Sequence, residues 1–183
     1  FAQDIGGGEW SGVYVYVYAD VAETLTELTP GTVLDISGEV SEFHGRTDIT
    51  VTHPSDITVT SLTAGVTVDD ITEPPTDWEP WEGCLILDGP VTVTGEVGAD
   101  GSAPLDNGTS LGDEFFRVDV ETGDRFESLT GVLDYHRDTY KMLPRSAADI
   151  IVSSSDGEET GDGSGGGAET AAGGSEGGDA DDG

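Results

Sequence analysis

Positive charge is what this sequence lacks most. Its 183 residues include 38 acidic and 6 basic side chains, so the formal net charge is −32, and Lys141 is the only lysine. Such a surface repels itself in dilute buffer, whereas at about 1 M ionic strength the Debye length shortens to about 3 Å and the repulsion is screened. The composition therefore predicts a halophilic protein of archaeal type.

Cysteine, asparagine and long apolar runs are also scarce. Cys84 is the single cysteine, which excludes an internal disulfide and a cysteine-based zinc site. No run of 18 apolar residues occurs, so we expect no membrane-spanning segment. The single asparagine, Asn107, lies in an Asn-Gly-Thr glycosylation sequence, and the chain begins at Phe1, as a secreted chain does after signal removal. We therefore expect an extracellular or cell-surface location.

Motifs of catalysis and metal binding are missing as well. The sequence has no Gly-x-Ser-x-Gly, no phosphate-binding loop and no His-Glu-x-x-His. The three histidines are too scattered for a zinc site, and three aspartates in a Gly-rich loop (Asp100, Asp106 and Asp113) are not spaced as in an EF-hand. We favour a solvated loop over a calcium site there, and we expect no enzyme activity, no cofactor and no metal.

Apolar residues recur at every second position in several stretches, which predicts half-buried strands. Residues 31–51 predict a β-hairpin with a break at His44-Gly45-Arg46, and residues 10–18 alternate valine with tyrosine. A short helix with Asp20 as its N-cap is expected at 20–29, and Ser146 is expected to cap one helical turn. The other predicted strands lie at 57–59, 66–68, 84–87, 91–97, 115–120, 126–136 and 139–144.

The hairpin pattern occurs twice. Residues 31–49 and 123–143 both show a glycine, a strand, a second glycine, an aromatic-His pair, an arginine-containing break and another strand. We therefore predict an all-β fold of two tandem OB-like barrels with a disordered acidic tail. The predicted organisation is a flexible leader (1–9), barrel 1 (10–70), a Pro/Trp linker (71–82), barrel 2 (83–152) and an acidic, Gly-rich, low-complexity tail (153–183).

Several stretches resemble the OB-fold modules of secreted bacterial and haloarchaeal nucleases. They are residues 31–49, which resemble a Gly-x-x-Val-x-Val-x-Gly-x-Val-x-Glu-aromatic-x-Gly-x-Thr-x-Ile pattern with Leu34 and Ile36 in place of the first two valines, and residues 10–16, 79–86 with 91–93, 129–135 and 143–146. The resemblance implies a non-catalytic binding fold, because the catalytic domain of those nucleases is separate and has no counterpart here.

Candidate binding residues fall into two groups. Aromatic residues on strands could stack nucleic-acid bases, or the same face could pack against another part of the protein or another subunit. Basic residues could contact phosphates, or they could pair with the protein's own abundant carboxylates. The candidates are Tyr14, Tyr16, Tyr18, Phe43, Arg46, Arg117, Arg137, Lys141 and Arg145.

Two functions follow from these expectations. The first is a secreted, non-enzymatic binding module for nucleic acid (DNA), whose binding depends on stacking because strong salt weakens phosphate contacts. The second is a structural subunit of an extracellular filament or cell-surface layer that self-associates through strand edges. The two would coincide in a protein that coats DNA.

Overall fold

Strands dominate the described part of the chain. The computed structural model describes residues 1–25, 28–61 and 65–153. The mainly β prediction is confirmed. The strands are β1 Ala2–Gln3, β2 Gly12–Val17, β3 Val33–Ile36, β4 Glu39–Phe43, β5 Arg46–Val51, β6 Ile57–Ser61, β7 Asp69–Asp70, β8 Leu85–Asp88, β9 Val91–Thr92, β10 Ala103–Pro104, β11 Ser110–Leu111, β12 Arg125–His136, β13 Thr139–Leu143 and β14 Ile150–Val152. The described helices are α1, Ala19–Ala22, and 3₁₀ turns at Pro54–Asp56, Glu79–Trp81 and Ala147–Asp149.

The strands form open, mixed sheets. One has the order β1-β2-β5-β4, a second has the order β10-β11-β13-β12-β8-β7 with β9 and β14 also paired to β12, and β3 pairs with β6 alone. None closes into a barrel, so the two predicted OB-like barrels are not formed. The cause is visible near Gly38, where the chain leaves β3 and enters β4, which pairs in a different sheet. The segment around Gly38 that the sequence predicts as one curled strand is therefore two strands, β3 and β4, in different sheets.

Both predicted hairpins are confirmed as β4–β5 and β12–β13. Each turns through two residues with positive φ, His44-Gly45 in the first and Arg137-Asp138 in the second. Two positive φ angles are typical of the type I′ turn, whose twist matches that of the strands. Phe43 and His136 are the last residues before these turns, so Phe43 is structurally equivalent to His136. The sequence comparison aligns Phe43 with Tyr135 instead, one position away.

The apolar core lies beside β12. It is a cluster of thirteen buried side chains, against which Trp81, Val118, Val120, Tyr140 and Ile150 also pack. The cluster consists of Ile71, Trp78, Cys84, Ile86, Val91, Val93, Ala103, Leu105, Leu111, Phe126, Leu129, Leu133 and Met142. All of these residues come after position 70, and two of them lie within the predicted linker.

The segments before position 70 contribute little apolar burial. Val21 and Val51 are their buried hydrophobic side chains among the described residues, whereas Val40, expected on the buried face of the opening hairpin, is 67% exposed. This part is held to the core side by its backbone. A Cβ on Gly12 would overlap the Gly83 carbonyl carbon and the Cys84 amide nitrogen, so the start of β2 and the backbone just before β8 approach more closely than side chains allow.

Other segments differ from the sequence prediction. The segment predicted as a leader (1–9) contains strand β1, which pairs with β2, and its Gln3 side chain accepts a hydrogen bond from the Leu85 amide. Residues 115–120 form no strand; Val118 and Val120 pack on the core, but the chain there has no ladder partner. The sequence predicts units at 10–70 and 83–152, whereas residues 1–153 group by contact as one compact unit.

The predicted helical segments are shorter than expected or only partly described. Helix α1 is one turn with Tyr18, not Asp20, at its N-cap, and residues 26 and 27 of the predicted helix lie outside the described residues. The Ser146 cap is confirmed, since its hydroxyl accepts from the Ala148 amide at 3.3 Å. Apart from Ser153, the predicted tail lies outside the described residues. Within the described ranges, no helix is long and apolar enough to cross a membrane.

Replacing Gly12 with alanine should destabilise the protein. The added Cβ would collide with backbone atoms, which cannot rotate away as a side-chain tip can, so the free energy of unfolding should decrease by about 1–3 kcal/mol or more. Urea unfolding in concentrated salt measures this. Gly6→Ala is the matched control, because a Cβ on Gly6 meets nothing within 4 Å. Equal stability of the two variants would contradict the close approach.

Candidate binding face and the junction beside it

Five of the predicted binding residues share one face of the β1-β2-β5-β4 sheet. β2 and β5 run parallel with Tyr16 paired to Thr50, and β5 and β4 run antiparallel with Arg46 paired to Phe43. Because alternate residues of a strand point to the same side, every second position along these strands falls on this face. We name the predicted binding residues on this side, Tyr14, Tyr16, Tyr18, Phe43 and Arg46, the aromatic face; Glu39, Ser41, Asp48 and Thr50 point to the same side between them.

The outer part of the aromatic face is open to solvent. Tyr16 and Tyr18 are 45% and 48% exposed, and their ring centroids lie 5.5 Å apart in an edge-to-face arrangement. Phe43 on the edge strand β4 is also 51% exposed, but it pairs with Arg46 at the opposite end of the sheet from Tyr16, which pairs with Thr50. The rings have room for a planar group to lie against them, which is how aromatic side chains hold bases.

The inner end of the aromatic face is closed. The guanidinium carbon of Arg46 lies 3.5 Å from the centroid of the Tyr14 ring, a cation–π contact, and the Phe1 ring meets Tyr14 edge-on at 5.0 Å. Arg46 Nη1 also lies 3.3 Å from Asp134 Oδ1, with the two side chains only 12% and 7% exposed. The charge of Arg46 is therefore balanced within the protein before any ligand arrives.

The Arg46–Asp134 pair belongs to a contact between the tips of the two hairpins. The rings of His44 and His136 lie 5.8 Å apart, and a Cβ on Gly45 would collide with the Tyr135 ring. We name this region the hairpin junction, and it consists of His44, Arg46, Glu82, Asp134 and His136.

Glu82 is the bridge across the hairpin junction. It follows the 3₁₀ turn Glu79–Trp81, is only 7% exposed, and accepts a hydrogen bond at Oε1 from the Thr47 amide of β5 at 2.8 Å. Burial, together with the neighbouring charges of Glu79, Asp134 and Glu42, raises the pKa of Glu82 to about 7 against the opposing Thr47 hydrogen bond. Burial also raises the pKa of Asp134, whereas burial and the charges of Arg137 and Arg46 lower the pKa of His136.

Buried polar atoms in the hairpin junction lack partners. Among the described residues, Glu82 Oε2, Arg46 Nε and His136 Nδ1 are buried and make no hydrogen bond. Such atoms are uncommon in folded proteins because an unmade buried hydrogen bond costs about 1–3 kcal/mol. All three belong to the same polar cluster, which makes this the place where the structure departs most from full hydrogen-bond satisfaction.

The remaining predicted cations do not form one surface patch. Arg117 pairs with Asp119 at 3.2 Å on the exposed surface, and Arg145 makes a two-pronged pair with Asp149 at 3.0 and 2.7 Å. Arg137 is exposed in the β12–β13 turn. In the structure, four of the basic candidates pair with the protein's own carboxylates, which is one of the two alternatives that the sequence left open. They are Arg46, Arg117, Lys141 and Arg145.

Lys141 is the most deeply placed of these cations. Its ammonium lies 3.1 Å from Asp100 and 3.2 Å from Glu114, and the side chain is only 6% exposed. Hydrogen bonds from Ser102 and Lys141 lower the pKa of Asp100 to about 2. The aspartate-rich loop is therefore organised partly by Lys141, and nowhere in residues 1–25, 28–61 and 65–153 do three acidic, histidine or cysteine side chains group to hold a metal ion.

Asn107, the predicted glycosylation residue, is engaged on both sides of its amide. Its Nδ2 donates to the carboxylate of Asp88, which is buried, and its Oδ1 accepts from the Thr109 amide at 2.9 Å and from the Thr109 hydroxyl at 2.8 Å. Burial raises the pKa of Asp88, and the Asn107 hydrogen bond opposes that shift. The amide nitrogen that would carry a glycan therefore serves as the partner of a buried carboxylate.

The sequence did not reveal Glu82, Asp134 or Asp88 as special. Each is one of 38 acidic residues, and the background of surface carboxylates hides the few that are buried. A weak signal existed for two of them: Glu82 and Asp88 flank the apolar run 84–87, where a carboxylate at a strand end must find a partner or lose its charge.

Replacing Asn107 with alanine should destabilise the protein, because the buried carboxylate of Asp88 would lose one of its two donors and keep only the Gly89 amide. The expected loss in the free energy of unfolding at pH 7 is about 1.5–3 kcal/mol, the range for hydrogen bonds to charged groups. Urea unfolding in concentrated salt measures it. The control is Glu96→Ala, because Glu96 is exposed. Asp106→Ala is unsuitable, because Asp106 accepts a hydrogen bond from the Thr92 amide.

If Asn107→Ala is as stable as the control, the amide is not needed by Asp88 and stays free for a glycan.

Comparison with known proteins adds no family to these observations. No family model matches the sequence, and no curated protein matches it either. The assignment of a function therefore depends on the aromatic face and the hairpin junction themselves.

Proposed function

We propose that this chain is a non-enzymatic binding module that works outside the cell in concentrated salt and holds single-stranded nucleic acid on its aromatic face. The observation that supports this most is the pair of half-exposed rings, Tyr16 and Tyr18, which contact each other, with the exposed Phe43 farther along on the same side of the sheet. Stacking on such rings contributes about 1–3 kcal/mol per base and tolerates any base sequence.

The charges of the protein favour stacking over phosphate contact. Arg46, the cation of the aromatic face, is already paired with Asp134, and the net charge of −32 repels a polyanion in dilute buffer. In brine this repulsion is screened, whereas the gain from counterion release is small. Binding should therefore strengthen as salt increases, which is the reverse of the behaviour of ordinary basic nucleic-acid-binding proteins.

The resemblance to OB-fold modules of secreted nucleases is compatible with this proposal. OB-folds bind single strands on exposed aromatic strands, and here the corresponding rings lie on an open sheet rather than a closed barrel.

The double variant Tyr16→Ala/Tyr18→Ala should lose binding to a single-stranded oligothymidylate. Removal of two stacking rings should weaken the affinity by at least about tenfold, given about 1–3 kcal/mol per stacked base. Fluorescence anisotropy of a labelled oligonucleotide in about 3 M KCl, where charges are screened, measures this. Tyr16→Phe/Tyr18→Phe keeps the rings and should bind as the unmodified chain does.

Val152→Ala is the control, because Val152 is 65% exposed but lies on β14, which pairs with β12 in a different sheet. Binding that survives the loss of both tyrosines, or that is absent from the unmodified chain at every salt concentration, would refute the proposal.

A second candidate is a structural subunit of an extracellular filament or surface layer, and the position of β4 favours it. β4 is the end strand of its sheet, all five of its residues are exposed, and Val40 is 67% exposed. A free edge strand offers unpaired backbone groups for another strand to pair with. Glu39 and Glu42 on the same strand would discourage pairing in dilute buffer but not in brine.

Under this second candidate, Val40→Lys should reduce self-association. A charge on the exposed edge is a common means by which proteins prevent edge-to-edge pairing. Light scattering in about 3 M KCl, chosen for screening, measures the mass of the particles with and without oligonucleotide. Val97→Lys, an exposed valine away from the edge, is the control. If the unmodified chain is a monomer in the absence of DNA, this candidate is excluded.

A further inference from the structure

We propose that the hairpin junction is a proton-operated latch, in which the protonated carboxyl of Glu82 keeps the β4–β5 hairpin docked against the β12–β13 hairpin and its ionisation loosens that contact. The inference concerns the protein alone and does not depend on the ligand proposed above. It would nevertheless affect the aromatic face, because Phe43 and Arg46 flank the docked turn.

The position of Glu82 couples the two hairpins. Its backbone is held beside β12, since the next residue, Gly83, donates its amide hydrogen to the Leu133 carbonyl at 2.7 Å. Its side chain reaches the other way, to the Thr47 amide at the start of β5. One carboxyl group thus connects the edge of the apolar core to a hairpin that has little apolar burial of its own.

The charges around Glu82 leave it without a counter-ion. Arg46 from β5 is paired with Asp134 from β12, which is also buried. Glu79 from the 3₁₀ turn accepts from the Tyr140 hydroxyl, and Glu42 from β4 accepts from the Thr47 hydroxyl, so both add negative charge nearby. His136, from the end of β12, has a lowered pKa and does not supply a compensating charge at neutral pH.

The unpartnered atoms indicate what ionisation would change. Oε1 of Glu82 accepts from the Thr47 amide, so the proton of the neutral carboxyl lies on Oε2, which has no hydrogen-bond partner, and Arg46 Nε is a donor without an acceptor. An ionised Glu82 would add a second buried negative charge beside Asp134 and draw on Arg46, because the other cation near this pair, the Phe1 ammonium, has a pKa lowered by its own burial. Arg46 would then move relative to the Tyr14 ring that it covers, and the docked turn would loosen.

The direction of the pH dependence follows from the burial of Glu82. In the folded protein the carboxyl keeps its proton until a pH of about 7, whereas in the unfolded chain it loses the proton near its ordinary value of 4.5. The folded state therefore holds more protons between these values, and its stability decreases as the pH rises from about 4.5 through about 7. Above that range Glu82 is a destabilising buried charge.

The test compares Glu82→Gln with the unmodified full-length chain. Glutamine keeps the shape and the acceptor for Thr47 but cannot ionise. In about 3 M KCl, amide hydrogen exchange at Thr47 is followed by NMR from pH 5 to pH 8.5 and corrected for the intrinsic increase of exchange with pH. We expect protection in the unmodified chain to fall at least tenfold across neutral pH and to stay level in Glu82→Gln. Glu127→Gln, exposed on β12, should behave as the unmodified chain does.

A direct titration keeps the proposal testable if Glu82→Gln does not fold. Carboxyl ¹³C chemical shifts of the unmodified chain report the ionisation of each glutamate. A Glu82 midpoint near neutral pH that coincides with the loss of Thr47 protection supports the latch. A midpoint near 4.5, or equal pH dependence in the unmodified chain and Glu82→Gln, overturns it. Neither result depends on whether nucleic acid binds.

Discussion

The unequal distribution of apolar burial is the constraint on which this structure depends. The core cluster is drawn from residues after position 70, around the long strand β12. The sheet that carries the aromatic face buries little apolar surface, so the hydrophobic effect, roughly 25 cal/mol per Å² of apolar area, contributes little to holding it in place. That sheet is attached instead through backbone contact at Gly12 and Gly83 and through polar groups.

The attachment is therefore electrostatic to an unusual degree. Arg46–Asp134, Glu82–Thr47 and the Gln3 side chain to the Leu85 amide all connect the first sheet to the core side. Hydrogen bonds and ion pairs of this kind are sensitive to protonation, whereas apolar contacts are not. In concentrated salt the self-repulsion of a −32 surface would be screened, whereas the buried pairs would be little affected.

The aromatic face and the hairpin junction are two ends of the same arrangement. Arg46 contributes to both, since it covers Tyr14 on one side and pairs with Asp134 on the other. This leaves the outer rings, Tyr16 and Tyr18, free of a cation and exposed. The surface that results is suited to flat, weakly charged groups, and its inner boundary is fixed by an ion pair rather than by apolar packing.

The sequence by itself determined the local structure where the pattern was strong. The alternation at 10–18 and 126–136 predicted β2 and β12, and the Gly-containing break after Phe43 predicted the first hairpin. The prediction failed where pairing partners were needed, as at residues 115–120, which alternate but have no ladder, and at Gly38, where the chain passes between two sheets.

Only the tertiary structure decided which acidic residues are buried and which basic residues are available. Glu82, Asp88 and Asp134 look like any other carboxylate in the sequence, because burial depends on residues far along the chain. Period-two alternation identifies a face but not what covers it, so Tyr14 and Tyr16, two residues apart, end in different surroundings. Local propensity determines strands, and long-range packing determines the electrostatics of the site.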